Sequence, residues 1–355
     1  MELDGAGVCI PYTFTYDEFT VFFHDEYVFI GNQDFPVGQC CVDMMNVDES
    51  LLNEINRRIW KFSPFGKALL IEQTTSAAAA AQEKLNDVWE LVFSLPVYRE
   101  LKMDEPCCYH TFERLLANRE KWDEVKTEKT PGRQRYQAML TELEWFPKRL
   151  WDLRARIKNM TSNYLEPLER RNPTTYALAY SFFYAKMLRE SPGGEFGQSC
   201  SIEIRFVPML GRTEEENIFV AEKATFSKLT DFLWTEFYRG LALGNAPRVC
   251  QNCGKYFLLT SGYDIRYCNN IAPGETERTC RKVGAHRKAS RNKEEYTPAQ
   301  KEYQRTYNRL KVRKQRKKIS EDEWNAAVAQ AQDLVAQSER GELTDDELLQ
   351  RLRAL

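Results

Sequence analysis

The chain has 355 residues, 43% of them hydrophobic and 29% charged, with a formal net charge of -2. That is a soluble globular composition with room for a substantial core and more than one domain. The start, MELDGAGVCIPY, lacks a basic region followed by an apolar one, and TYALAYSFFYAKML is too short and interrupted to span a bilayer. From these features neither a secretory leader nor a membrane partner is expected. The sequence therefore predicts a cytoplasmic protein with reduced cysteines.

The small net charge conceals an asymmetry. Between Arg281 and Lys318 there are 15 Lys/Arg against three acids, whereas Ile319 to Leu355 carries nine acids and three arginines. A basic segment inside an otherwise acidic chain calls for an anionic partner.

Aromatic and β-branched residues dominate 11–31, and HDE at 24–26 reads as the turn of a β-hairpin. Helical spacing begins at Asp48, with Leu51, Leu52, Ile55, Ile59 and Trp60 on one face, and SPFG at 63–66 reads as a break. A second helical stretch, from about Lys67 to Lys102, contains five consecutive alanines, with Pro96 as its break. Leu140, Leu143, Phe146, Leu150, Leu153 and Ile157 keep the same period. SPGGEFG (191–197) reads as a loop. SIEIRFVPML and NIFVAEKATF alternate like two strands joined by GRTEEE, and KLTDFLWTEFYRGLALG reads as a helix closed by Gly244.

After the cysteines discussed below, a basic helix places Tyr303, Tyr307 and Leu310 on one face. ISEDEW and LTDDEL then form two capping boxes, Ser320 with Glu323 and Thr344 with Glu347. Two short helices separated by Gly341 are expected from that pattern.

Four of the ten cysteines follow the spacing C-x2-C-x14-C-x11-C: Cys250, Cys253, Cys268 and Cys280. CQNCG is a knuckle that presents two thiolates to one ion, and Gly254 accommodates the positive φ of such a turn. The segment from Tyr256 to Cys268 reads as a short hairpin turned by SGYD, which returns Cys268 to the knuckle. Cys280 then opens a helix, where the dipole favours a thiolate. Knuckle, hairpin and helix make a treble-clef-like arrangement. Four thiolates suit one structural Zn2+. A redox CxxC would sit between strand and helix in an α/β pattern, which is absent here. His286 remains an alternative fourth ligand.

Residues 245–292 resemble the CGNR-type zinc fingers of bacterial proteins in their two cysteines, aromatic-containing hairpin, two further cysteines and basic helix. They differ in having Arg-Lys-Val after Cys280 and a longer loop before it. The last third of the chain is also similar to an uncharacterised bacterial family that carries C-x-x-C-G-x-x-F, then Y-C, a PGE loop, and T-C before a basic tail. That resemblance implies zinc and no particular activity. No family is recognised in residues 1–240.

Cys107, Cys108 and His110 in EPCCYHTF, and Cys40 with Cys41, read as buried or loop thiols, since adjacent cysteines chelate one ion poorly. SPFGKAL lacks the upstream glycine of a P-loop, and SPGGEFG does not join a strand to a helix as a dinucleotide fingerprint does.

The predicted architecture is α+β and mostly helical. An N-terminal α+β domain of unknown function (1–245) precedes a four-cysteine finger (246–292). A basic helix and an acidic two-helix tail (293–355) follow. The predicted function is zinc binding with DNA or RNA contact, in a regulatory or mobile-element-associated protein rather than an enzyme. Arg281, Lys282, Arg287, Lys288, Arg291, Lys311, Arg313, Lys314, Arg316 and Lys317 are its phosphate-contacting residues. A purely structural finger for a protein partner is the alternative. A treble-clef nuclease ranks below both, because the 256–268 hairpin has no histidine.

Overall fold

The computed structural model describes residues 19–72, 74–101, 112, 118–190, 202–210, 218–295 and 297–355. The fold is α+β and mostly helical. Its contacts divide it into two compact units, Met1–Arg266 and Tyr267–Leu355.

The first unit is built on a five-stranded antiparallel sheet of order β3-β2-β1-β5-β4. Its strands are β1 (Phe19–His24), β2 (Tyr27–Ile30), β3 (Gln33–Pro36), β4 (Ile202–Leu210) and β5 (Ile218–Phe226). In β1 the sequence FTVFFH alternates, so Phe19, Val21 and Phe23 enter the core. The expected turn at 24–26 joins β1 to β2, and β3 extends the hairpin to a third strand. The 11–18 part of that expectation lies outside the described residues, as do SPGGEFG and GRTEEE. β1 also pairs with β5, with Phe19 opposite Phe226, which closes the sheet between residues about two hundred positions apart. Phe232, on the following helix, packs edge-on to both rings.

Between the two halves of the sheet run α1 (Gln39–Met45), α2 (Glu49–Ala68), α3 (Thr75–Val92), α4 (Pro96–Glu100), α5 (Arg119–Lys126), α6 (Pro131–Met160), a π-helical turn (Thr161–Leu165) and α7 (Pro173–Glu190). The helix expected to stop at SPFG continues through Pro64 to Ala68. Tertiary packing overrides the break: Phe62, Ser63 and Gly66 are buried, and Tyr136 Oη of α6 donates to the Gly66 carbonyl at 2.8 Å. The hydrogen bond that proline cannot make belongs to the carbonyl of Trp60. Trp60 itself is 69% exposed, so it leaves the apolar face assigned to it, while Leu52, Ile55 and Ile59 keep theirs. The stretch expected from Lys67 to Lys102 restarts at Thr74, whose hydroxyl accepts from Ala77 N, and Pro96 opens α4. In α6, all six periodic residues from Leu140 to Ile157 are buried.

After β5, α8 (Leu229–Leu243) ends at Gly244 with φ 92°, as its sequence predicts. It also carries Glu236, a fully buried carboxylate with no sequence signal. Glu236 accepts backbone N–H bonds from Gly38, Cys40 and Cys41 at 2.9, 3.0 and 2.7 Å. These are the orphan donors at the start of α1. Cys40 and Cys41 are buried beside it. Burial, opposed by those bonds, pushes the Glu236 carboxyl up to about 7.

The second unit contains α9 (Cys280–Glu295), α10 (Pro298–Gln315), α11 (Glu321–Glu339) and α12 (Asp345–Ala354). Both predicted capping boxes form, and Thr297 with Gln300 adds a third. Gly341 has φ 77°, but α11 has 19 residues and is not the short helix expected. Ala331, Leu334, Leu348 and Leu352 form a core that the half-buried Tyr303 of α10 adjoins. The buried Thr306 hydroxyl donates to the Leu352 carbonyl at 2.9 Å, closing one of the free carbonyls at the end of α12.

Candidate metal centre and basic helices

β6 (Ala246–Val249) and β7 (Tyr256–Leu259) pair antiparallel, with Val249 opposite Tyr256. The knuckle is therefore the turn of its own hairpin, and the hairpin expected from Tyr256 to Cys268 does not form. The reason is local. Gly254 N donates to Cys250 O and Cys250 N to Lys255 O, both at 2.9 Å, so the chain reverses at once onto the strand before it. Gly254 has φ 73°, with nothing within 4 Å of where a Cβ would stand, the left-handed geometry that the spacing predicts.

The chain then returns to the knuckle without strand pairing: Gln251 N donates to Arg266 O at 3.0 Å. Beyond Cys268, the IAPGETERT loop closes on itself through a bridge between Ile271 and Thr279, and Ala272 N donates to Arg278 O. Cys280 opens α9 as expected. The Thr279 hydroxyl caps that helix by accepting from Lys282 N, and Arg281 N donates to Cys268 O at 3.0 Å. The carbonyl of one cysteine thus satisfies an orphan donor of the helix that the next one begins.

The sulfurs of Cys250, Cys253, Cys268 and Cys280 all lie within 4.8 Å of one another. Cys250, Cys268 and Cys280 are buried, and Cys253 is half-buried. Such a set of soft donors can hold a metal ion. His286 is exposed and stands outside this cluster. Cys107, Cys108 and His110 lie outside the described residues.

Several side chains that build this region give no sequence signal. Asn46, the C-cap of α1, mimics a strand partner: its amide donates to Tyr256 O at 2.9 Å and accepts from Tyr256 N at 2.8 Å. Gly38 lets the Leu258 side chain approach. In the second unit, Gly284 makes room for the Tyr267 ring. Arg248 is 4% exposed, although arginine is seldom fully buried. A lone buried arginine can be recognised only by its partners, and these are remote in sequence.

The ten basic residues assigned to phosphate contact fall in different surroundings. Arg281, Lys282 and Arg287 are exposed on α9. Lys288 and Arg291 lie on the same helix, with side chains outside the described residues. Lys311, Arg316 and Lys317 are exposed on or just after α10. Arg313 and Lys314 have partners in the tail. Arg313 donates to Leu355 O at 2.9 Å, while Lys314 bonds Glu321 at 2.7 Å and sits 4.4 Å over the Trp324 ring. No helix among the described residues is long and apolar enough to cross a membrane.

No match is found among curated proteins or among solved structures. Residues 197–354 match the model of a family of unknown function (DUF6076), a stretch that carries all four clustered cysteines and both basic helices.

Proposed function

We propose that the four cysteines hold one structural Zn2+ and that the helix opened by Cys280 meets nucleic-acid phosphates. The convergence of four sulfurs within 4.8 Å carries this reading. Four thiolates fill a tetrahedron and leave no position for substrate, so the ion's role is to fix the chain around it. The knuckle and the segment ending at Cys268 are then bound to the first turn of α9, which exposes Arg281, Lys282 and Arg287. Cations in such a rigid frame engage phosphate as point charges and forks, with little dependence on base sequence. In this reading the finger, the basic helix and the acidic tail are the working parts, and residues 1–245 have another role. Metal analysis combined with a salt titration of duplex binding tests it. Stoichiometric zinc and a steep loss of affinity with salt are expected.

A purely structural finger serving a protein partner is the second reading. It is favoured by one observation: the tail already engages Arg313 and Lys314 of α10. It predicts zinc binding without affinity for nucleic acid at physiological salt.

A further inference from the structure

Arg248 lies on β6, two residues before Cys250. Its guanidinium reaches three partners from two remote segments. Nε donates to Glu166 Oε2 at 3.2 Å, Nη1 to Ile265 O at 2.7 Å, and Nη2 lies 2.7 Å from Asp264 Oδ1. Glu166 directly follows the π-helical turn, and its second oxygen accepts from Val249 N at 3.2 Å. Arg171, 6% exposed, completes the cluster by donating to the carbonyls of Leu165 and Glu166 at 2.9 Å each. The hydrogen bond from Arg266, with a further one from Arg248, holds the Asp264 carboxyl below its ordinary range. A guanidinium this buried is costly unless every partner is in place. Here the partners are the two ends of a connection: the close of the long helix α6 on one side, and residues 264–265, just before Cys268, on the other.

We infer that Arg248 is a positioning residue for the four-cysteine cluster, tying the return segment that delivers Cys268 to the helical body through Glu166, so that metal affinity and the order of the 161–166 turn depend on each other. The inference rests on the metal reading proposed above. Its physical basis is loop closure. From Cys253 the chain must travel 14 residues before Cys268 can contribute its sulfur. Without Arg248 the loop keeps the Gln251–Arg266 backbone bond and the Arg171–Asp264 ion pair, at 3.9 Å, and the ion must order more of it. Residues that orient metal ligands without touching the ion typically change affinity by about 10-fold to 100-fold when replaced. The π-helical turn is the part of the body best placed to respond. Its geometry is rare, and Glu166 and the carbonyls at its end are held by Arg248 and Arg171.

The test uses the full chain, reduced, with zinc titrated against a chromophoric chelator. Arg248→Gln should bind zinc about 10-fold more weakly than wild type. Arg248→Lys, which keeps the charge and loses the fork, should fall between them. Asp264→Asn, altering a half-exposed partner, keeps the assay available should Arg248→Gln fail to fold; it should weaken binding several-fold, and its effect should not add to that of Arg248→Lys. Removing zinc from wild type should speed amide hydrogen exchange at 161–166, and the Arg248 variants should lose that response. Zinc affinity equal to wild type in Arg248→Lys and Asp264→Asn, with metal-free and metal-loaded melting lowered alike, would leave Arg248 a packing residue and overturn the inference alone. Absence of zinc binding by wild type would overturn it together with the metal reading.

Discussion

A side chain at Gly284 would place its Cβ 2.5 Å from the ring of Tyr267, so the ring and the helix meet only because that position is glycine. Cys268 follows Tyr267, and Gly284 lies one turn beyond Cys280. The contact therefore sets the spacing between a loop cysteine and a helical one. Gly284→Ala gains about 1 kcal/mol of helix propensity in an ordinary helix interior. Here we expect a net loss of about 1–3 kcal/mol from overpacking. Thermal unfolding of the metal-loaded chain checks it. Tyr267→Ala in the same chain should remove the penalty, and a Gly284→Ala chain more stable than wild type would refute the close approach.

Glu236 gives a pH-dependent expectation. Its carboxyl titrates near 7 in the fold and near 4.5 ordinarily. Between those values the folded chain holds a proton that the unfolded chain has lost. Its contribution to stability is therefore complete below pH 4.5 and declines as pH rises through 7. From pH 5 to pH 8, wild type should lose up to about 3 kcal/mol relative to Glu236→Gln, measured by urea unfolding at each pH. Parallel curves for the two proteins would contradict it.

Much of this structure is legible in the chain because the signals are local. Alternation in FTVFFH, the period from Leu140 to Ile157, the caps at Ser320 and Thr344, and the spacing of four cysteines each report a neighbourhood of a few residues. What is missed is mostly decided by partners far along the chain. Pro64 sits inside a helix because Gly66 and Ser63 on either side of it bond to a helix some 70 to 80 positions away. The knuckle differs: β7 pairs with β6, before the motif, because the turn at Gly254 and Lys255 reverses the chain at once onto that strand. Glu236 and Arg248 give no local signal, since Cys41 N and Glu166, which they bond, lie 195 and 82 positions away. No pattern within a window reports a burial decided by such distances.

The nucleic-acid reading separates the basic residues into two groups. Binding to a duplex should weaken steeply with salt, by about 0.9 in log–log slope for each phosphate neutralised. Reversing Arg281, Lys282 and Arg287 to glutamate should flatten that slope by about 2–3 and weaken all sequences alike. Arg313→Ala should instead lower the melting temperature of the tail with little effect on slope, because its guanidinium already bonds the Leu355 carbonyl. Equal effects from both groups would argue against the distinction.

Zinc content of the purified, reduced chain tests the central claim most directly. About one equivalent per chain is predicted by elemental analysis for wild type, and loss of that equivalent for Cys250→Ser and for Cys280→Ser. His286→Ala should retain it, since His286 stands outside the cluster. A wild-type chain without metal, or a Cys280→Ser chain that keeps a full equivalent, would contradict the account.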